Sequence, residues 1–281
     1  MSGRLVLVST PIGNLGDLPP RAVETLQACA LICCEDTRHS GKLMSHAGIS
    51  GVRLAVADEH REAARTEEVL GLLASGSDVG VVTDAGTPGI SDPGMRLVAA
   101  AVAAGHQVTA VPGPAALVMA LVVSGFDTTR FVFDGFLPRS GRERHERITE
   151  VATERRTVVL YEAPHRIART VADLAEVCGD HRRVALAREL TKLHEEVWRG
   201  TLAEAVAHTA AVEPRGEYVV VLEGAPPPTA ATDDDIVAAL RTELGGGADR
   251  RSAIATVMAR TGASKRRVYD LALTIPRTPD A

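Results

Sequence analysis

The sequence predicts an α/β protein with two α/β domains and a small C-terminal helical domain. Three observations carry this. Short β-branched or Leu-rich runs alternate with Ala-rich helical patterns, several of the runs end in Gly/Pro loops, and the composition changes after Glu223. A chain of 281 residues fits two domains with an appendage.

In the first domain, residues 1–113, strands are expected at Arg4–Val8, Leu31–Cys34, Arg53–Val56, Val79–Val82 and Gln107–Val111. Helical patterns fall between them at Pro20–Cys29, Ser40–Ala47, Arg61–Leu73 and Gly94–Ala104. Pro19-Pro20 and Pro93 suit helix starts, where a missing N–H costs nothing. The βαβα order implies a mainly parallel sheet covered on both faces.

The turn Pro112-Gly113-Pro114 marks the boundary to the second domain, residues 114–224. Strands are expected at Phe131–Phe133, Thr157–Tyr161, Arg183–Arg188, Glu195–Gly200 and Glu217–Glu223, with helices at Arg142–Thr153, Pro164–Cys178 and Leu202–His208. A strand turning back after Leu193-His194 makes this second sheet mixed. Residues 225–281 open with the proline-rich linker Ala225–Thr232, then give helices at Asp234–Leu244, Arg250–Arg260 and Lys265–Thr274. The last two, joined by Thr261-Gly-Ala-Ser264, form a helix-turn-helix pattern. From Arg241 onward there are eight basic and four acidic residues, against a net charge of −5 for the chain. Lys265, Arg266 and Arg267 at a helix start suit nucleic-acid phosphates, and a helical domain with solvated charges is the alternative.

Composition excludes several classes. Apolar residues make up 45% of the chain and aromatics 3%, so the cores rest on Ala, Val and Leu, and stacking platforms for single-stranded nucleic acid lack material. No apolar run spans a bilayer, and the first residues do not read as a signal peptide, which points to the cytoplasm. Cys29, Cys33, Cys34 and Cys178 read as buried thiols rather than metal ligands; no metal is expected.

The candidate site lies in loops at the carboxyl ends of strands, where open α/β sheets bind ligands. Thr83–Gly94 runs Thr-Asp-Ala-Gly-Thr-Pro-Gly-Ile-Ser-Asp-Pro-Gly, twelve residues of which six are Gly, Pro or Ala. That is longer than the roughly two to six residues of an ordinary βα connection. Ser9–Asp17 and Val111–Ala115 reach the same sheet edge. None matches Gly-x-Gly-x-x-Gly or a Lys-Ser/Thr phosphate loop, which weakens hydride transfer and nucleotide hydrolysis.

These runs, with Cys34-Glu-Asp-Thr-Arg-His, Phe136-Leu-Pro-Arg, Leu160-Tyr-Glu-Ala-Pro-His-Arg-Ile, Arg188-Glu-Leu-Thr-Lys and Gly216-Glu-Tyr-Val-Val-Val-Leu-Glu-Gly, resemble the tetrapyrrole-methylase superfamily. Within it they are similar to the branch that methylates a cytidine 2′-hydroxyl in the decoding region of 16S rRNA. The likeness covers nearly all of residues 4–224. It implies two α/β domains of that type with an S-adenosylmethionine cleft between them, a homodimer, and 16S rRNA or the 30S subunit as partner. The first loop reads Ser-Thr-Pro-Ile-Gly-Asn where porphyrin-methylating relatives carry a glycine-rich run, which favours the RNA branch.

On this resemblance the cofactor contacts expected are Pro11, Gly13, Asp84, Ala85, Gly86, Pro88, Ser91, Asp92, Pro112, Gly113, Pro114, Phe133, Pro164 and Ala187. Methylation of a hydroxyl needs orientation and a proton acceptor. Glu35, Asp36 and Glu189 are the carboxylate candidates, and Lys192 is a phosphate contact or hydroxyl activator. Each carboxylate also has a neighbouring arginine to pair with, Arg38 or Arg188, and His165 is an alternative base. Arg139, Arg142, Arg144 and Arg147, with Arg155 and Arg156, form the expected RNA rim. Two other readings remain open: a small-molecule methylase acting on a tetrapyrrole, and a non-catalytic metabolite sensor whose tail binds nucleic acid.

Overall fold

Strands β1 (Arg4–Val8), β2 (Leu31–Cys34), β3 (Arg53–Val56), β4 (Val79–Val81) and β5 (Gln107–Val111) pair in the order β3-β2-β4-β1-β5, all parallel. The computed structural model describes residues 2–57, 62–227 and 231–275; Arg61 of the expected helix and residues 228–230 of the expected linker lie outside them. Helices α1 (Pro20–Ala28), α2 (Thr37–His46), α3 (Glu62–Ala74) and α4 (Met95–Ala103) connect the strands. Alternating strand residues feed two cores, as a side-chain period of two requires. Val6, Val8 and Ile32 pack with Leu26 and Leu43, while Leu5, Leu31 and Val79 pack with Leu73 and Leu97. Each fully buried leucine stabilises the fold by about 1.5–3 kcal/mol.

Helix α5 (Ala116–Ser124) was not expected from the sequence. Its run Ala-Leu-Val-Met-Ala-Leu-Val-Val-Ser is apolar on every face, so periodicity gives no signal. Leu117, Ala120 and Leu121 pack on Val159, Ala185 and Val221 of the second sheet, whereas Val118, Val122 and Val123 are exposed.

That sheet comprises β6 (Phe131–Phe136), β7 (Thr157–Glu162), β8 (Arg183–Arg188), β9 (Glu196–Thr201) and β10 (Tyr218–Leu222) in the order β6-β7-β10-β8-β9. Only β6 and β7 pair in parallel; β10 runs against β7 and β8, and β9 against β8. Helices α6 (Gly141–Thr153), α7 (Pro164–Cys178) and α8 (Leu202–Ala211) cover the face opposite α5, around Ile148, Ile167, Leu174 and Leu202. This topology brings the carboxyl ends of β6, β7 and β8 and the start of β10 to one edge.

Residues up to Ala225 form one compact unit and Pro226–Ala281 a second. The second unit contains α9 (Asp233–Gly245), α10 (Arg250–Thr261) and α11 (Lys265–Thr274) around Ile236, Leu240, Val257 and Val268. Side-chain caps start all three helices: the Thr232–Asp235 capping box, Asp249 and Ser264. Gly262 ends α10 in the left-handed region at φ 66°. No described helix is long and apolar enough to cross a membrane.

Candidate active site

Three loops of the first sheet are tied together before they meet any ligand. Thr10 and Gly86 exchange backbone hydrogen bonds of 2.8 and 3.1 Å, joining the loop after β1 to the loop after β4. The Thr10 hydroxyl donates to the Thr83 carbonyl at 3.1 Å, and the Ser9 amide donates to the Val111 carbonyl at 3.2 Å. Gly113 lies so close to Ser9 that a Cβ there would sit 2.8 Å from the serine Cβ. Ser91 is held at φ 59°, a left-handed conformation that a non-glycine residue adopts only where the surroundings fix it.

The tied edge presents carboxylates. Glu35 (after β2), Asp84 and Asp92 (after β4) line a cavity of about 520 Å³ between the two sheets. Thr83 Oγ1 donates to Glu35 Oε2 at 3.4 Å. Asp84 Oδ1 is buried and has no hydrogen-bond partner among the described residues. Burial pushes the Asp92 carboxyl up to about 6; the Thr83 hydroxyl opposes the shift, and the charges of Glu35 and Asp84 add to it. Like charges held together in a partly dry site favour a cation among them.

The opposite wall comes from the second sheet. A bulge between Phe133 and Phe136, with Gly135 at φ 61°, extends β6 beyond its expected end and turns Phe136 to the cavity. The bulge also brings Gly135 against Ser91, where a Cβ would meet Ser91 Oγ at 3.5 Å. Phe136 and Phe133 pack edge-on to Tyr161, with ring centroids at 5.6 and 4.9 Å. Tyr161 Oη accepts the amide of Leu117 at 3.2 Å, holding the start of α5.

Lys192 bridges the halves. Its Nζ donates to Glu189 Oε1 and Glu217 Oε2, both at 2.8 Å. Gly13 packs against its stem, so that a Cβ on Gly13 would lie 2.3 Å from Lys192 Cγ. Beside it the Asn14 amide donates to Thr191 Oγ1 at 3.1 Å. Burial opposes charge on both Glu189 and Lys192, yet their mutual hydrogen bond, the bonds each makes with Glu217 and the neighbouring charges together outweigh it, leaving Glu189 below its usual range and Lys192 above its own. Lys192 is therefore a fixed cation, and Glu189 Oε1 is engaged by it and by the Glu217 amide.

The cavity gathers Glu35, Asp84, Ala85, Gly86, Ser91, Asp92, Pro164, Ala187, Glu189 and Lys192 of the residues expected from sequence. Asp36 is not among its walls. Its carboxylate caps α2 through the Arg38 amide at 2.8 Å and pairs with the Arg38 guanidinium at 3.0 Å; that side-chain bond above all lowers it to about 2. Phe133 stands behind Tyr161 and Phe136 instead of at the surface of the cavity. Pro11, Gly13, Pro88, Pro112, Gly113 and Pro114 brace the loops without lining it; the Pro114 carbonyl, for instance, accepts from Thr87 Oγ1 at 3.4 Å. Sequence reasoning missed Phe136, Tyr161, Glu162 and Glu217, although each lies at the sheet edge that the strand pattern defines.

The expected arginine rim separates into different environments. Arg144 is buried, with bonds to Asp173, the Pro138 carbonyl and Thr170. Arg142 is exposed and paired with Glu146, and Arg147 pairs with Asp134. Arg155 and Arg156 precede β7, at the end of the sheet away from the cavity, and Arg156 is held by Glu154. Arg139 is exposed beside the cavity's second wall, with no ion pair among the described residues. In the second unit Lys265 and Arg266 are exposed, while Arg267 is paired with Asp233 at 2.7 Å.

The family model for tetrapyrrole (corrin/porphyrin) methylases matches residues 4–206, which takes in both sheets and the cavity between them. The chain belongs to the tetrapyrrole methylases. Among curated family proteins it is 45% identical over 273 residues to the "Ribosomal RNA small subunit methyltransferase I" of Synechocystis, covering 96% of this chain and 98% of that protein. A protein of the same name from Xylella fastidiosa (Temecula1) is 49% identical over 225 residues, covering 79% of this chain and 82% of its own length. Of the solved methylase structures, the methyltransferase CobJ superposes with a TM-score of 0.60 at 20% identity, covering 80% of this chain and 95% of that one, a likeness of fold alone.

Proposed function

We propose that this chain transfers a methyl group from S-adenosylmethionine to the 2′-hydroxyl of a cytidine in the decoding region of 16S rRNA. One observation carries the cofactor assignment. Asp84 Oδ1 is a buried acceptor without a donor among the described residues, beside Glu35 and Asp92, on the wall of a cavity large enough for a nucleoside-sized ligand. S-adenosylmethionine brings a sulfonium and an α-ammonium, the charges such a wall lacks. The identity to ribosomal RNA methyltransferases over nearly the whole chain supports RNA as the acceptor.

Asp84, Ser91 and Asp92 would hold the methionyl end, and the backbone from Ala85 to Thr87, where Gly86 sits at φ 88°, would offer it donors and acceptors. Phe136, Ala187 and Val219 offer an apolar wall for the adenine. When bound, the cofactor supplies an electrophilic methyl. The cavity's task is then to aim the ribose oxygen in line with it; orientation of this kind is worth on the order of 7–11 kcal/mol. Of the carboxylate candidates, Asp36 stands outside the cavity, whereas Glu35 lines it on the wall that would hold the methionyl end, which supports Glu35 as the acceptor for the hydroxyl proton. Lys192, locked as a cation, faces the phosphate or the ribose.

Ribosomal RNA as substrate supports a cytoplasmic location. The exposed apolar face of α5, Val118, Val122 and Val123, supports assembly as a homodimer. The functional test incubates the protein and methyl-labelled S-adenosylmethionine with 30S subunits, deproteinised 16S rRNA or uroporphyrinogen, then digests and locates the label. Label on a cytidine ribose is expected. Its absence from ribose in both RNA substrates refutes the reading, and label on the porphyrinogen replaces it.

A further inference from the structure

A second pocket adjoins the first. It measures about 330 Å³ and is lined by Arg139, Arg144, His165, Arg166, Arg169 and Thr170. His165, at the start of α7, lines both pockets. We infer that this basic pocket binds a backbone phosphodiester of the RNA, next to the nucleotide being methylated. The inference rests on the RNA-methyltransferase reading.

The pocket is built, not incidental. Three successive carbonyls each accept from a different arginine: Leu137 from Arg166 at 2.5 Å, Pro138 from Arg144 at 3.0 Å and Arg139 from Arg169 at 3.4 Å. Behind them Arg144 donates to Thr170 at 3.0 Å, and Thr170 donates to the buried Glu162 at 2.6 Å. Glu162 in turn lines the large cavity, so one network shapes both sites.

Carbonyls satisfy guanidinium N–H groups without cancelling their charge. The carboxylates present, Asp173 and Glu162, pair with Arg144 at 2.7 Å and Arg166 at 3.1 Å. Asp173 reaches Arg169 only at 3.7 Å, and Arg139 has no acidic partner among the described residues. Four guanidiniums thus face two carboxylates, and the excess positive charge sits on Arg139 and Arg169, the two exposed arginines. A helix N-terminus adds to the field from below. Planar forks around a positive cleft match a phosphodiester better than a small carboxylate does.

The test measures binding of a 16S rRNA decoding-region fragment from 50 to 200 mM salt. It compares wild type with Arg139→Gln, Arg169→Gln and the double variant. Arg130→Gln, exposed just before β6 at the opposite end of that strand, is the charge control. Losing one single-strand phosphate contact removes about 0.7 from the logarithmic salt slope. Across this fourfold salt range the double variant, which takes both exposed guanidiniums from that phosphate, should therefore lose about threefold less affinity than wild type does, with each single variant between the two. KM for RNA should rise while kcat at saturating RNA and S-adenosylmethionine affinity stay unchanged. Inorganic phosphate should compete with RNA more weakly in the double variant.

Pocket variants that keep the wild-type salt slope, or behave like Arg130→Gln, overturn the inference while leaving the methyltransferase reading intact. A pocket that binds inorganic phosphate, yet whose loss leaves RNA affinity unchanged, overturns the RNA assignment. Failure of the wild type to methylate any RNA overturns both.

Discussion

Replacing Asp92 by Asn tests whether the acidic wall recognises a cation. In the free protein Asp92 is raised to about 6 by burial, partly offset by Thr83 and reinforced by Glu35 and Asp84. Tyr161 and His165 line the same cavity. A cation bound among these carboxylates favours ionised Asp92, so binding and deprotonation are linked. With a midpoint near 6, about a tenth of Asp92 is ionised at pH 5 and nearly all at pH 7.5, so S-adenosylmethionine affinity should fall on the order of tenfold between them. Calorimetry in buffers of different ionisation enthalpy should find about half a proton released per cofactor bound near pH 6. Asp92→Asn should bind more weakly at pH 7.5 and lose most of this dependence. His165 lines the same cavity, so His165→Gln is the control and should retain it. The sign for stability is opposite. A carboxyl raised in the folded state stabilises it fully below its ordinary range of about 3.9, and that stability is lost as pH rises through about 6. The free enzyme should therefore melt at lower temperature at pH 7.5 than the Asn variant does, relative to pH 4.5. A wild-type affinity that is flat from pH 5 to 7.5, or an Asn variant with the same slope, refutes the cation-wall argument.

Three further outcomes follow from packing. Gly216→Ala places a Cβ 2.4 Å from Glu189 Cγ at φ 74°, which should destabilise the protein by roughly 1–3 kcal/mol in urea unfolding; an unchanged midpoint would show that Glu189 moves aside freely. Ending the chain at Ala225 removes the second compact unit but none of the cavity's walls. S-adenosylmethionine affinity should persist and RNA affinity should fall, and equal loss of both contradicts that division. Val122→Glu charges the exposed face of α5 and should shift the protein to monomer in sedimentation, with no shift if that face is not the interface.

What was legible in the sequence follows physical lines. Strands β1, β2, β3, β5 and β8 match their expected bounds because short β-branched runs flanked by breakers have few alternatives. Helix α5 escaped because an element apolar on all sides has no period. The extension of β6 escaped because a bulge depends on tertiary fit between Gly135 and Ser91. In the site, Asp84 and Asp92 were visible as loop residues at a strand's carboxyl end, whereas Glu162 and Glu217 become site residues only through the order β7-β10-β8. The arginines were grouped by nearness in sequence. Helical geometry instead turns Arg144 inward and Arg142 outward, and the partners of Arg139 come from α7, far along the chain.

The charge of the two walls orders the proposed complex. The first half contributes the carboxylates Glu35, Asp84 and Asp92; the second contributes Lys192 with Glu162, Glu189 and Glu217 and, one step further out, the arginine pocket. A cationic sulfonium is attracted to the carboxylates of the first wall, and a polyanionic RNA to the arginine pocket beyond the second. In that arrangement the reacting methyl and the ribose oxygen would meet where the walls face each other. Lys192 limits how closely the walls approach, because Gly13 presses its stem from the first half while Glu189 and Glu217 hold its ammonium in the second. Shortening it therefore does more than remove a charge: it frees two carboxylates on the RNA side of the cleft. Lys192→Met should consequently weaken RNA binding more than Lys192→Arg does, and leave cofactor affinity little changed. Equal effects of the two substitutions on RNA affinity would mean that the stem, not the charge, is what the cleft requires.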